Sequence, residues 1–372
     1  MEQKNRKKQI AMFVLYGLIT VCLLVTMLSF NDIGAIMEQL GHADPINILY
    51  AVVLLVVYMA LYPLSLCILT KAEGCKIGMK TTYSIAMTEH FFNGITPFAT
   101  GGQPFQAYSF SKAKVKIADS TGLLLMNFLV FMLVTNSFAL CSLFYFERFV
   151  TDTAMTVIAI VGFTMNFIVL ACTLILGVSK TVRGWVMKLI GLLCKIKILA
   201  KFIEPRLGGM QEYLEQVQDA FHKLMQKKWH FLLAILTKVL SMAAYYGTTF
   251  FILRALHIPV SVEELFFIIC GTSFAITMVV FLPTPGSSGG VEGSFAAVFG
   301  SIIVATGTAS VGAVAHGGML IWRLLTYYLV MLVSLLFYIG LEIRFARAAK
   351  RKPAPTEDEL CGEDAPEDNT NP

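Results

Sequence analysis

Residues 281–293 read F-L-P-T-P-G-S-S-G-G-V-E-G, and this stretch sets the reading of the whole chain. It stands between two strongly apolar segments, yet it holds two prolines, four glycines, two serines and a glutamate. A near-copy occurs in the other half of the sequence: Thr96-Pro97-Phe98-Ala99-Thr100-Gly101-Gly102 against Thr284-Pro285-Gly286-Ser287-Ser288-Gly289-Gly290. Both follow T-P-x-x-x-G-G, and each is followed closely by a side chain that can hydrogen-bond, Gln103 and Glu292. Proline removes a backbone donor and glycine permits unusual dihedrals, so each copy is expected to break a helix. Inside a bilayer, broken helix is tolerated only where protein or a polar cavity satisfies the freed backbone groups. Paired interruptions in two halves of a membrane protein point to a substrate site.

The rest of the composition supports a membrane setting. Of 372 residues, 56% are hydrophobic and 14% charged, with a mean hydropathy of +0.71. A soluble domain carries about 25% charged residues. The fold class expected is therefore all-α and polytopic, with about eight transmembrane helices, two Pro/Gly-broken re-entrant hairpins and a duplicated half whose orientation stays open. The eight cysteines are scattered through apolar runs without metal-ligand spacing, so they read as small apolar packers, and no metal site or cofactor is expected.

Taken in order, residues 1–9 form a basic leader with Lys4, Arg6, Lys7 and Lys8, ahead of a first apolar run from Ile10 to Phe30. That run is long for a cleaved signal peptide and reads as an uncleaved span. Further spans are expected at about 46–69, 119–146, 154–178, 230–253, 262–282, 291–306 and 317–341, with a re-entrant or interfacial hairpin over 81–111. Lys and Arg concentrate at 1–8, 71–80, 112–116, 180–228 and 344–352, which places both termini in the cytoplasm of a multi-pass plasma-membrane protein. Residues 10–345 then make one transmembrane domain. Its basic insert, 180–228, contains an interfacial helix at 184–203 and an amphipathic helix at 205–228. Residues 346–372 read as a disordered acidic tail.

The chemistry-bearing residues cluster around the two interruptions. Thr284 with Pro285 is expected to start a helix whose free N–H groups face an anion such as a lipid phosphate, and Thr96 and Pro97 of the other copy are counted among the headgroup-binding residues. Gly101, Gly102, Gly289 and Gly290 give the backbone its freedom there. Arg323, deep in the last span, needs a partner or a cavity; Glu292 and Glu89 are the candidates, and snorkelling to the interface is the alternative. Glu89 with His90 reads either as a buried cation- or proton-handling pair or as an interfacial one. Lys238 lies near the middle of its span, where it meets an anionic headgroup, pairs with Glu292 or snorkels. The basic belt attracts anionic lipid at roughly 1 kcal/mol per surface cation, and positive-inside topology accounts for most of it. Nucleic-acid binding lacks any recognition motif, and no DNA partner is expected. The sequence has no Walker A, G-x-S-x-G or H-E-x-x-H signature, and no catalytic residues are assigned.

Three segments, N-G-I-T-P-F-A-T-G-G-Q-P-F at 93–105, L-P-T-P-G-S-S-G-G-V-E at 282–292 and W-R-L-L-T-Y-Y at 322–328, resemble the lysylphosphatidylglycerol synthase transmembrane family. This is the membrane domain of the multiple peptide resistance factor and its stand-alone relatives, and the likeness covers about residues 10–345. The resemblance implies a flippase-like protein that handles phosphatidylglycerol or its aminoacylated form, adding to membrane surface charge and to resistance against cationic antimicrobial peptides. The cytosolic acyltransferase-like domain of full-length members is absent from this sequence. An acidic-Arg pair that some relatives carry is also missing; Asn127 and Phe128 lie about there. Lysyl transfer from lysyl-tRNA, alone or with a separate soluble aminoacyltransferase, is the enzyme-class alternative. A scaffold that recruits lipid enzymes is the third reading, and homo-oligomerisation stays open. In the first reading, an anionic or lysylated phospholipid enters a cleft between the two hairpins, with Arg323 on its headgroup and Glu292 on a cationic moiety.

Overall fold

The structure, a computed structural model, describes residues 41–150, 152–179, 181, 184, 188, 207–305 and 311–350. The expected leader, first span and acidic tail from 351, and nearly all of the interfacial helix at 184–203, lie outside the described residues. Among the described residues there is no strand.

The first long helix, α1, spans Pro45–Glu73. Asp44 caps it by accepting from the Ile46 N–H, proline sits in its first turn, and Gly74 ends it in the left-handed conformation at φ 84°. After it come α2 (Met79–Ile95), a one-turn 3-10 helix (Pro97–Ala99) and α3 (Gly102–Lys112). Next are α4 (Ile117–Ser142), the short α5 (Phe146–Phe149) and α6 (Thr153–Val178). The amphipathic α7 (Leu207–Gln226) leads to α8 (Lys228–Ala255) and α9 (Leu265–Val279). A second one-turn 3-10 helix (Pro285–Ser287) precedes α10 (Gly290–Ala305). Last come α11 (Val311–Arg323), a π-helical stretch (Leu324–Leu329) and α12 (Val330–Lys350), so helix continues past residue 345.

Six of these segments are long and apolar enough to cross a membrane: Pro45–Glu73, Ile117–Phe149, Thr153–Val178, Lys228–Ala255, Val262–Val279 and Gly317–Ala348. The chain is thus an all-α polytopic membrane protein. Gly290–Val304 is a shorter apolar helix. At 1.5 Å per residue its parent α10 reaches about 24 Å, short of a ~30 Å hydrocarbon core. Although α9 with its leading 3-10 turn passes by length, it stops beside the midpoint of α6: Met278 packs on Gly162, and Asn166 Nδ2 donates to Thr277 O at 3.2 Å. The runs at 262–282 and 291–306 are therefore the two arms of one hairpin. The arms are tied by Ser294 Oγ, which donates to Ala275 O at 2.9 Å.

The first hairpin is α2 and α3, whose arms meet through the Phe92–Phe105 stack (centroids 3.6 Å apart) and Gln106 Nε2, which reaches Ile85 O and Ala86 O. Its outer ends lie with the basic end of α12, where Lys112 Nζ makes 2.7 and 2.8 Å contacts to both oxygens of Glu342 and Arg344 reaches Lys80 O. The second hairpin opens at the other end of the bundle. There the Asp44 N–H donates to Ala255 O, joining the start of α1 to the end of α8, and the Ser261–Glu264 capping box starts the turn into α9. One hairpin thus enters from each end. The halves, α1–hairpin–α4 and α8–hairpin–α12, run in opposite directions, and the repeat is inverted.

The amphipathic helix expected near 205–228 is α7. It lies across the basic end of the bundle, with Gln218 Nε2 on the carbonyls of Leu176 and Ser179 and Phe221 against Gly177.

Candidate functional site

The two hairpin tips meet at mid-depth, and each is built the same way. In the T-P-x-x-x-G-G segments the third and fourth residues are both left-handed: Phe98 (φ 56°) and Ala99 (φ 51°) in one copy, Gly286 (φ 58°) and Ser287 (φ 52°) in the other. Phe98, Ala99 and Ser287 are not glycine, and such a conformation costs about 1–2 kcal/mol per residue, so the surroundings hold the turn in place. Gly286 has no alternative. A Cβ there would fall 2.3 Å from the Tyr327 ring.

In the first tip the amides are satisfied from within. Thr96 Oγ1 donates to Phe92 O at 2.7 Å and accepts from Gly101 N at 2.8 Å, while Asn93 Oδ1 accepts from Gly102 N at 2.8 Å. The second tip is tied to another element. Arg323 Nη2 donates to Gly286 O at 2.8 Å and to Ser288 Oγ at 3.0 Å. Its Nε lies 3.0 Å from Glu292 Oε1, but off the line of the N–H, so this contact is an ion pair without a hydrogen bond. The other Glu292 oxygen accepts from Gly289 N at 2.6 Å, closing the start of α10. Arg323 Cζ sits 4.1 Å above the Tyr327 ring, and Tyr327 Oη donates to Gly94 O of the first hairpin at 2.8 Å. One segment of the last helix thus holds both tips, and it is there that the helix turns from α to π, a local change frequent at functional sites.

Two adjoining cavities flank the tips. The smaller, about 200 Å³, is walled by Gly286, Ser287, Arg323, Thr326 and Tyr327. The larger, about 500 Å³, has Glu89, Gln103, Thr135 and Asn166 among its polar walls and Tyr58, Tyr62, Tyr245 and Tyr246 among its rings. His90 and Asn93 border both. Its size falls in the ordinary range for small-molecule pockets.

Of the residues singled out from sequence, Glu89, His90, Gln103 and Arg323 wall these cavities. Thr96, Pro97, Gly101, Gly102, Thr284, Pro285, Gly289, Gly290 and Glu292 build the tips instead. Two expectations are corrected, and one left open is decided. Thr284 does not start the long helix: its Oγ1 donates to Ser288 O at 2.9 Å, Pro285 opens only a single turn, and α10 begins at Gly290. The amide at that helix start is answered by the chain's own Glu292. Lys238 pairs with neither Glu292 nor the interface. It is fully buried, with Nζ 3.2 Å from Tyr62 O and 3.3 Å from the centre of the Tyr62 ring. Arg323 is 4% exposed and takes Glu292, not Glu89, as its partner, so neither it nor Glu89, 8% exposed, is interfacial.

Sequence reasoning missed Tyr58, Tyr62, Tyr245, Tyr246 and Ser288. The tyrosines carry a signal in hindsight. They form close pairs in the middle of α1 and α8, the equivalent helices of the two halves, and Tyr58 meets Tyr245 at 4.8 Å. At 127 and 128, Asn127 Oδ1 accepts from Ser65 Oγ at 2.9 Å, and Phe128 walls the larger cavity.

Comparison with known proteins agrees with this architecture. A UPF0104 membrane protein of Methanothermobacter thermautotrophicus is 28% identical over 180 residues, which covers 45% of this chain and 52% of that protein. The matched stretch thus spans about half the length of that relative. Residues 12–334 match the lysylphosphatidylglycerol synthase TM region, a span that takes in α1 to α11, the π-helical segment, both hairpins and Arg323. The chain belongs to the lysylphosphatidylglycerol synthase transmembrane-region family.

Proposed function

We propose that this protein moves a phospholipid headgroup between leaflets through the chambers at the hairpin tips, with the acyl chains remaining in lipid. The observation that carries this reading is the mid-depth meeting of two hairpins that enter from opposite ends of an inverted repeat, around Arg323. A headgroup crossing the hydrocarbon core needs fixed polar groups in place of water. The smaller chamber supplies them: the Arg323 guanidinium and the polar groups of the second tip suit a phosphate, which would compete with Glu292 for that cation. The family points to phosphatidylglycerol and its lysylated form as the first lipids to examine, and through them to surface charge and resistance to cationic peptides.

The test uses purified protein in liposomes with lysyl-phosphatidylglycerol confined to one leaflet, followed with a membrane-impermeant amine reagent. Wild-type protein is expected to expose the far-leaflet lipid, and Arg323→Ala to stop it. Formation of lysyl-lipid from phosphatidylglycerol and lysyl-tRNA, without movement, would replace translocation by lysyl transfer. Neither movement nor transfer would leave the scaffold reading.

A further inference from the structure

We infer that the larger chamber is a site for one ammonium group, so that the headgroup this protein accepts best is zwitterionic: one phosphate, one ammonium, no net charge. The inference rests on the translocation reading and adds what that reading leaves open, the charge of the cargo.

Four observations carry it. The first is Glu89. Its carboxylate lines the larger chamber, 8% exposed, with Gln106 Nε2 at 3.3 Å as a neutral donor. Neutral donors orient a carboxylate without cancelling its charge. The second is His90, whose Nε2 is buried without a partner in the wall shared by the two chambers. A buried ring nitrogen left unanswered is a place where a ligand donor gains most. The third is the ring wall around it. His90 packs 4.6 Å from Tyr62 and 5.5 Å from Tyr58. One face of Tyr62 holds the Lys238 ammonium at 3.3 Å, which leaves the rings of Tyr58, Tyr245 and Tyr246 to line the chamber for a cationic group.

The fourth is the balance of charge. The charged side chains around the two chambers balance by count: Arg323 forms an ion pair with Glu292, Glu89 lines the larger chamber, and Lys238 is buried behind Tyr62. An empty site is thus formally neutral. A headgroup with net charge leaves that charge uncompensated at the centre of the bundle, where ions are poorly tolerated. A glycerol headgroup brings a phosphate and only neutral hydroxyl donors for Glu89 and His90, so its negative charge stays uncompensated. A lysyl headgroup brings two ammonium groups against one phosphate and leaves one positive charge over, even with Glu292 released from Arg323. A headgroup with one phosphate and one ammonium answers Arg323 and Glu89 together and adds no charge. Selection here works by leaving the wrong cargo unpaired.

The experiment places wild-type protein in liposomes with four labelled lipids in turn: phosphatidylglycerol, phosphatidylethanolamine, alanyl-phosphatidylglycerol and lysyl-phosphatidylglycerol. The two net-neutral lipids are expected to move about tenfold faster than the two charged ones, a ratio that Glu89→Gln collapses to about twofold or less. His90→Phe, which keeps a ring and removes the nitrogen, is expected to act in the same direction and more weakly. Thermal unfolding in detergent with added glycerophosphoethanolamine or glycerophosphoglycerol reads binding apart from movement, and only the former is expected to raise the midpoint. Equal rates for all four lipids, a charged lipid in the lead, or an unchanged ratio in Glu89→Gln would overturn the ammonium site while translocation stands. No movement of any lipid by wild-type protein would overturn translocation, and this inference with it.

Discussion

In the first hairpin, Thr96 and Asn93 answer the amides of Gly101 and Gly102, so the tip is closed by its own side chains. In the second, the equivalent turn is held by Arg323, thirty-odd residues further on, while Glu292 bridges that cation to the Gly289 amide. The same T-P-x-x-x-G-G backbone is therefore closed from within on one side, while on the other its internal Thr284–Ser288 bond is supplemented by a cation from the last helix. An anion that drew Arg323 away would remove this added tie and leave the bonds within the tip. The two tips thus differ in how much of each turn depends on a residue from a distant element.

The largest effect is expected from Arg323→Ala. Removing one member of a buried pair leaves the other uncompensated, and with Glu292 partly exposed the loss should sit near the low end, about 3 kcal/mol, read as a lower unfolding midpoint in detergent. Hydrogen exchange should rise at 280–292 and not at 93–105. An equal rise at both tips would erase the contrast between them.

The paired glycines sharpen the same contrast. A Cβ at Gly101 would lie 2.6 Å from Thr96 Cγ2 and 2.7 Å from the Phe92 carbonyl, whereas Gly289, at φ 87°, has open space around it. Gly101→Ala should therefore destabilise through overpacking by about 2 kcal/mol. Gly289→Ala should lose only the left-handed penalty, about 1 kcal/mol. Thermal unfolding of the two variants side by side decides; a reversed order would mean that the first tip yields more easily than its hydrogen bonds imply.

Tyr327→Phe tests the link between the two tips. It removes the bond to Gly94 O, keeps the ring beneath Arg323, and is expected to cost about 1 kcal/mol in the same assay.

Much of this architecture is legible in the order of residues. Membrane solvent demands long apolar runs with basic ends, so the positions of α1, α4, α6 and α8 follow from hydropathy alone. The repeated turn is legible because proline and glycine punctuate a helix whatever surrounds them, and the amphipathic α7 because its apolar face must cover the end of the bundle. Arg323 stood out because an arginine inside a span requires a partner. Its choice of Glu292 over Glu89, and the placing of Lys238 on Tyr62, depended on how elements far apart in sequence pack together. Periodicity carries no information about that. For the same reason the runs at 262–282 and 291–306 pass as two crossings by composition, and only the contact of Met278 with the middle of α6 makes them arms of a hairpin. The inversion of the halves, the meeting of the two tips and the π-helical segment that holds them were likewise decided by tertiary structure. Local sequence sets where a helix breaks, whereas the direction from which the broken ends approach, and the side chains they find there, are set by the packing of the whole bundle.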